Sequence, residues 1–310
     1  MCEVCGTLTV HAESSKNTYD PTRTLTVRNR FARKMRVKFK KIDQEIYDAI
    51  VNKDVLGLKN PTTFQSRPRQ FDFPSNEQKI NSFIAWLDEL INENLLTVTR
   101  TPGGEYRWTD MYVEDTYKRG LIRGRQEMRN AGMEIPSMQD TGGIEASMST
   151  PVNMGRVQIL FVRAFENLKG ITSQMSTQIS RVLAQGLMDG DNPRRIAKKL
   201  HRVITGMGEN LGVTDTLGRY IPAQRRAETL ARTEIIRAHH KGMMQEFRSW
   251  GVHGVQVIAE LKTAGDDRVC EVCMGLQGTT YSLDEAENLI PVHANCRCIV
   301  IPKEAPNRMR

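Results

Sequence analysis

The residues of this chain best suited to chemistry are five metal-ligand types gathered near its C-terminus. They are Cys270, Cys273, His293, Cys296 and Cys298. The close spacing of the first pair puts two sulfurs in one tight turn, and the remaining candidates follow after about twenty residues. Thiolate and imidazole ligands in two such groups are typical of a tetrahedral zinc site, in which the metal closes the intervening loop. The sequence therefore predicts a structural zinc unit within residues 268–302.

Five candidates compete for the four places of such a site. Cys296 and Cys298 are two residues apart, so both side chains would face one side of an extended strand. The sequence leaves open which of the five is not a ligand. The alternatives to zinc are buried free thiols and a redox pair. A redox pair normally lies at a helix N-terminus in a βαβ context, which is not predicted here.

Composition supports metal binding rather than disulfide formation. The chain has 310 residues, a net charge of +8 and six cysteines. It contains no apolar run of about eighteen residues, and its first residues lack the pattern of a signal peptide. We therefore expect no membrane partner and a protein made in a reducing cytoplasm, where clustered cysteines favour metal. The separate pair Cys2 and Cys5 is interpreted as exposed thiols, the alternatives being a chance half-site or a site completed by another subunit.

A basic stretch near the N-terminus is the main candidate for contact with an anionic partner. Its cations are Arg23, Arg28, Arg30, Arg33, Lys34, Arg36, Lys38, Lys40 and Lys41, with no acidic residue among them. Apolar residues recur every three or four positions from Val27 to Ile50, which predicts a helix with one buried face. The basic face would contact DNA phosphates without reading sequence, or dock on an acidic protein surface.

The predicted fold class is mainly α, with a helical N-terminal region and a small α+β unit at the C-terminus stapled by zinc. Residues 1–20 are expected to form a polar tail, 21–133 a basic helical domain, 134–150 a linker, and 151–310 a C-terminal domain. Helices are predicted over about 80–91, 106–129, 152–187, 193–204 and 223–250. Strands are predicted at about 255–262, 279–281 and 299–301.

Charged residues on the last long helix allow two interpretations. Arg232 and Glu234 either anchor this helix to the cysteine unit through buried hydrogen-bonded pairs, or belong to a solvated face. His239 and His240 are expected to have a surface or capping role. Asp266 and Asp267 are interpreted as turn formers.

Several runs of this sequence resemble the Mu F-like minor head protein family of tailed phages. They are RRAETLARTEIIRAHHKGMMQEFRSWG (225–251), DDRVCEVCMGLQGTTY (266–281) and PVHANCRC (291–298). Residues 162–200 and the basic start DPTRTLTVRNRFARKMRVKFKKI are also similar to the family. The sequence departs from the family at Ala294, where proline is common, and at AELKTAGDDR, which lacks a frequent tryptophan.

The resemblance implies a minor structural protein of the phage head that associates with the portal protein during procapsid assembly. The resemblance also makes the major capsid protein or a scaffolding protein a possible partner. Some members of the family are carried inside the capsid, where they can contact the packaged double-stranded DNA and aid its delivery. The expected location is the virion, at the head interior or portal vertex, after assembly in the host cytoplasm. The alternative is a nucleic-acid-binding zinc protein unconnected with capsids.

The sequence offers little sign of an enzyme. It contains no Walker loop, nucleophile elbow or HExxH motif. Asp266 and Asp267 with His293 could imitate a metal nuclease, but carboxylates before a cysteine turn more often form turns. We therefore expect no catalytic residues.

Overall fold

The computed structural model describes residues 20–59, 70–101, 104–205, 221–251 and 257–304. Its helices are α1 (Leu25–Tyr47), α2 (Asn76–Asn94), α3 (Asp110–Asn130), α4 (Gly143–Met148), α5 (Pro151–Met188), α6 (Pro193–Ile204), α7 (Ala223–Gly251), α8 (Glu271–Gly275) and α9 (Leu283–Ala286). Its strands are β1 (Val98–Thr101), β2 (Gly104–Arg107), β3 (Val257–Lys262), β4 (Thr280–Tyr281) and β5 (Ile299–Glu304). A π-helical turn, Asp48–Asn52, directly follows α1. The prediction of a mainly helical chain with a small C-terminal sheet is confirmed. The polar tail with Cys2 and Cys5 lies outside the described residues.

The chain divides into two compact units, each assembled from separate segments. Of the described residues, those within 1–31, 108–164 and 229–310 form the first unit, and those within 32–107 and 165–228 form the second. The helices α1, α5 and α7 each contribute residues to both units. This division differs from the predicted order of an N-terminal domain, a linker and a C-terminal domain. Periodicity identifies a helix, but it does not indicate which tertiary cluster each turn of that helix joins.

The predicted linker, residues 134–150, is packed into the first unit. It contains α4, and Ile135 and Met148 are buried in two apolar clusters of that unit. The buried guanidinium of Arg125 donates hydrogen bonds to the Ser137 carbonyl and to the Thr141 hydroxyl. The linker prediction is therefore wrong, because a small number of buried side chains can hold a segment whose overall composition is polar.

The apolar stripe predicted on α1 is confirmed. All seven of its members are buried: Val27, Phe31, Met35, Phe39, Ile42, Ile46 and Ile50. The helix is preceded by Asp20, whose carboxylate accepts a hydrogen bond from the Leu25 amide at 2.8 Å. This contact satisfies one of the backbone N–H groups that a helix start leaves without a partner.

The helices α3 and α7 approach each other closely at glycines. A Cβ atom added to Gly120 would collide with the backbone carbonyl of His239, and one added to Gly242 would collide with the carbonyl of Tyr117. Gly124 likewise lies against the backbone of Met243. Only glycine allows two helix backbones to come this near, so these residues set the position of α7 in the first unit.

The predicted strands pair into a three-stranded antiparallel sheet of order β4-β3-β5. In its register, Ala259 pairs with Tyr281 and Leu261 with Val300. A second sheet, the β1–β2 hairpin, was not predicted.

The glycine contact predicts opposite outcomes for two alanine substitutions. Gly242→Ala should lower the free energy of unfolding by about 1–3 kcal/mol, because its methyl group must displace backbone atoms of α3. The control Gly155→Ala, in the exposed first turns of α5, meets no atom within 4 Å. It should be neutral or stabilising by up to about 1 kcal/mol through helix propensity. Chemical denaturation of the full chain measures both, and wild-type stability of Gly242→Ala would contradict the close approach.

Candidate metal centre

Two short turns present the five predicted ligands. Cys270 is the N-cap of α8, and its sulfur accepts the backbone N–H of Cys273 at 3.5 Å. The second turn is closed by a hydrogen bond from the Cys296 amide to the His293 carbonyl at 3.2 Å. Cys298 directly precedes β5, so the strand holds the end of the second turn.

The structure brings all five candidates into one cluster. Ligand atoms of Cys270, Cys273 and His293 lie within 4.8 Å of one another, and so do those of Cys273, Cys296 and Cys298. The imidazole Nε2 of His293 is 3.4 Å from the Cys270 sulfur and 3.1 Å from the Cys273 sulfur. Cys273 belongs to both groups and is the centre of the cluster. This donor set can hold a metal ion.

The imidazole of His293 is oriented for metal binding. Its Nδ1 lies 2.8 Å from the carbonyl oxygen of Ala294, which can only accept a hydrogen bond. Nδ1 therefore carries the proton, and the lone pair of Nε2 faces the sulfurs. Metal-binding histidines are commonly fixed by this second hydrogen bond. Alanine in place of the family's proline preserves the carbonyl that makes it.

The buried sulfurs favour a thiolate within the cluster. Cys273, Cys296 and Cys298 are all at most 3 % exposed, whereas Cys270 and His293 are half-buried. Hydrogen bonds from the thiols of Cys273 and Cys298, and from two backbone N–H groups, lower the pKa of Cys296 to about 2, against the effect of burial. Hydrogen bonding with Cys296 and Cys298 raises the pKa of Cys273. A buried thiolate of this kind is suited to a cation.

An ion pair joins the acidic turn to the second cysteine turn. Both carboxylate oxygens of Asp266 are paired with the guanidinium of Arg297, at 2.5 and 2.6 Å. The Arg268 amide also donates to Asp266. These contacts, the Arg297 hydrogen bonds first, lower the pKa of Asp266 to about 2. Asp266 is thus a turn former held by Arg297, whereas Asp267 is exposed.

The helix α7 anchors the cysteine unit through residues that were not predicted. The Thr233 hydroxyl accepts a hydrogen bond from the Asn295 amide at 3.1 Å. The His240 Nε2 donates to the Ala286 carbonyl at 2.8 Å. Lys241 and Arg248 both pair with the carboxylate of Glu287. These contacts hold the second turn and the end of α9 against α7.

His239 and His240 are buried, so the expected surface or capping role is wrong. Two contacts explain the interior position: α3 packs against the backbone at His239, and the Ala286 carbonyl of α9 accepts a hydrogen bond from His240. Burial lowers the pKa of His239 to about 3 and that of His240 to about 4. Both side chains are therefore neutral near pH 7.

Neither of the two interpretations of Glu234, an anchor to the cysteine unit or part of a solvated face, describes the contacts that its carboxylate makes. Glu234 is buried, and its carboxylate pairs with Arg237 at 3.3 Å and with Arg163 at 3.5 Å. Its partners belong to α7 and α5 rather than to the cysteine unit. Arg232 is half-buried. The residue of this segment that contacts the cysteine unit is Thr233, which lies between Arg232 and Glu234 in the sequence. It is uncharged, so an interpretation based on charged residues does not find it.

The predicted basic face of α1 is smaller than the sequence indicated. Arg28 is 5 % exposed and pairs with Asp20 at 2.8 Å, so it is not available for DNA or a protein partner. Arg36 is exposed but donates two hydrogen bonds to Glu228, and Lys38 is half-buried against the Asn94 carbonyl. The exposed cations that remain are Arg23, Arg30, Arg33, Lys34, Lys40 and Lys41.

A second row of exposed cations lies on α6 and was not predicted. It consists of Arg194, Lys198 and Arg202. The signal in the sequence is the basic run PRRIAKKLHR (193–202), which lies within the predicted helix 193–204.

Residues 177–301 match the family model described as Phage Mu protein F like protein. The matched region contains α6, α7, the C-terminal sheet as far as β5 residue 301, and all five candidate ligands. This region is Mu F-like. The resemblance seen in the sequence is thereby confirmed, and it supports a protein of phage head morphogenesis. No curated protein and no solved structure matches the chain.

Membrane insertion through a helix finds no support in the described part of the chain. None of its helices combines the length and the apolar character that crossing a bilayer requires.

Burial of His240 predicts acid sensitivity of the Mu F-like region. Its pKa of about 4 lies below the ordinary 6.5, so the unfolded chain binds the proton first. The stability is fully present above pH 6.5 and is lost as the pH falls toward 4. His240→Gln keeps a donor for the Ala286 carbonyl and removes this titration. Its unfolding free energy should fall less steeply with acid than that of wild type, by up to about 1.4 kcal/mol per pH unit.

The control for this measurement is Gln126→Ala, which removes an exposed side chain of α3 that carries no titratable group and should keep the wild-type slope. Acid release of a bound metal would affect all three proteins alike. A wild-type slope in His240→Gln would contradict the neutral, buried state of this histidine.

Proposed function

We propose that this protein is a minor structural component of a tailed-phage head that associates with the portal during procapsid assembly. The observation that carries the proposal is the family match over residues 177–301, which includes the anchored cysteine unit. Its role is assembly rather than catalysis. Two features support this: the Asp266 carboxylate is already paired with Arg297, and the central sulfurs of the cluster are buried away from any substrate.

We further propose that the cluster binds zinc as a structural ion. Thiolates with one imidazole are the donor set that zinc prefers in closed four-ligand sites. The elements around it are short: α8, β4 and α9 contain five, two and four residues. Elements of this size gain stability from a metal that closes the loop between Cys273 and His293.

The fourth place, beside Cys270, Cys273 and His293, is assigned to Cys296. Backbone N–H groups of Cys298 and Val292 hydrogen-bond to the Cys296 sulfur. Such bonds stabilise the charged form of a ligand and are typical of metal-binding turns. Cys298 then remains as a buried thiol next to β5.

Metal analysis and competition with a chromophoric chelator test the zinc assignment. The purified full chain should contain one zinc ion per molecule. His293→Ala and Cys296→Ser should weaken zinc binding by more than the roughly 10- to 100-fold that loss of an outer hydrogen-bond partner costs. Cys298→Ser is the matched control and should retain zinc.

The outcomes separate the two claims. A chain purified without chelator that contains no zinc would contradict the metal. Loss of zinc in Cys298→Ser, with zinc retained in Cys296→Ser, would reverse the assignment of the fourth ligand and leave the metal in place.

The exposed cations of α1 are proposed to contact packaged DNA or an acidic surface of the portal. Seven of the nine predicted residues are exposed, and one of these seven, Arg36, is already bound to Glu228. The other six are Arg23, which lies just before α1, and five cations of α1 itself. Major capsid or scaffolding protein are further candidate partners. The alternative, a nucleic-acid-binding zinc protein unconnected with capsids, has no counterpart in the family match.

Assembly in cells tests the head role directly. We expect the protein to co-sediment with procapsids when it is expressed with the major capsid, scaffolding and portal proteins of its phage. It should be absent from particles assembled without the portal, because the portal is its proposed contact. Equal incorporation with and without the portal would refute the portal contact alone. No incorporation under either condition would refute the head role.

A further inference from the structure

An open groove with a volume of about 460 Å³ lies in the second unit, between the C-terminal part of α1 and α6. The wall on α1 includes Gln44 and Tyr47, and the wall on α6 includes Arg194, Lys198 and His201. The two walls are joined by the His201 Nδ1 and the Asp43 carboxylate, which are 2.7 Å apart. This contact bridges the two helices that form the walls of the groove.

The cations of α6 fall into two sets that differ in their partners. Arg195 and Lys199 pair with the buried carboxylate of Asp191, at 3.1 and 2.5 Å. Arg194 and Lys198 are exposed, and within the described ranges they form no ion pair. The first set therefore neutralises the buried Asp191 carboxylate, and the second set is available to bind an anion.

The exposed set forms a row along the helix. Arg194, Lys198 and Arg202 are four residues apart, which places them on one face. Like charges at this spacing destabilise an isolated helix by about 0.2–0.5 kcal/mol per pair. A bound polyanion removes that repulsion. The row is about 12 Å long, which matches roughly three to four phosphates of one DNA strand.

The helix α1 adds one exposed cation beside the groove and neutral donors in the groove wall. Lys40 lies one turn before Gln44 on the same exposed face. Its charge acts on Asp43, whose pKa burial raises while His201 and Lys40 oppose the increase. The nearby acidic groups already have partners, because Asp43 contacts His201 and Asp48 pairs with Lys53 at 2.7 Å. The surface left for a ligand is cationic, with the Tyr47 hydroxyl and the Gln44 amide beside it.

We propose that this groove binds the phosphate backbone of double-stranded DNA. Arg194 and Lys198 contact phosphates from α6, and Lys40 contacts them from α1, with Gln44 and Tyr47 donating to phosphate or sugar oxygens. Such contacts position a duplex without reading its sequence. The inference rests on the proposed contact with packaged DNA, and it adds α6 as a second basic element to that contact.

Fluorescence anisotropy with a labelled duplex of about thirty base pairs tests the groove. The full chain is titrated at several salt concentrations. Arg194→Gln/Lys198→Gln should weaken binding at about 0.1 M salt tenfold or more, and should reduce the slope of log K against log salt by about two. Unchanged circular dichroism and metal content verify that the variant is folded.

A matched control removes the same charge elsewhere. Arg129→Gln/Arg181→Gln changes two exposed arginines outside the groove and should bind within about twofold of wild type, since only a residue in contact with phosphate releases a counterion. A loss in this control equal to that of the groove variant would mean that net charge alone drives binding, and would overturn the groove.

A third variant separates the groove from the function on which it rests. Lys34→Gln/Lys41→Gln changes exposed cations of α1 that do not line the groove. If this variant loses affinity while Arg194→Gln/Lys198→Gln binds like wild type, the groove is refuted and the α1 contact with DNA stands. If the wild-type chain does not bind the duplex at all, both the groove and the DNA contact are refuted.

Discussion

The backbone contact between α3 and α7 at Gly120 and Gly242 is the constraint on which the functional part of the first unit depends. A side chain at either position would collide with a carbonyl of the opposite helix. Because the two helices are this close, α7 is buried and can act as a rigid support. The contacts of Thr233 with Asn295 and of His240 with Ala286 then carry its position to the cysteine unit.

Two kinds of contact can hold the cysteine unit: contacts of its outer turns with α7, and a metal ion within it. Hydrogen bonds and the Glu287 ion pairs tie its outer turns to α7, whereas a metal would tie the sulfurs to one another. Hydrogen bonds to the buried Cys296 sulfur lower its pKa to about 2, which suits this sulfur to a cation. The Asp266–Arg297 pair links the two turns independently of any metal. A unit built in this way can keep its place on α7, while a bound metal would set its internal geometry.

Some basic residues of this protein form ion pairs within the fold, and others are exposed. Arg28 pairs with Asp20, Arg125 with Glu246, and Lys199 with Asp191. A count of basic residues thus overstates the cationic surface, and it also misplaces it. The exposed cations of α1 and of one row on α6 lie where they do because the opposite side of each amphipathic helix is buried.

The sequence by itself determined the long helices, the C-terminal strands and the five candidate ligands of the cluster, because all of these depend on local spacing. The apolar repeat of α1 and the alternation in β3 are local patterns, and so is the close pairing of Cys270 with Cys273. Recognition of the Mu F-like region depended on the same runs. These features follow from backbone periodicity and from the short reach of a turn, which are properties of neighbouring residues.

Only the tertiary structure decided how those elements are used. It showed that residues 134–150 pack around Arg125 rather than link two domains, and that α1, α5 and α7 each contribute to both units. It placed His240 inside and removed Arg28 from the surface. Each of these outcomes depends on a partner far away in sequence, such as Ser137 for Arg125 or Ala286 for His240. No local pattern contains that partner, so burial and pairing are decided where distant segments meet.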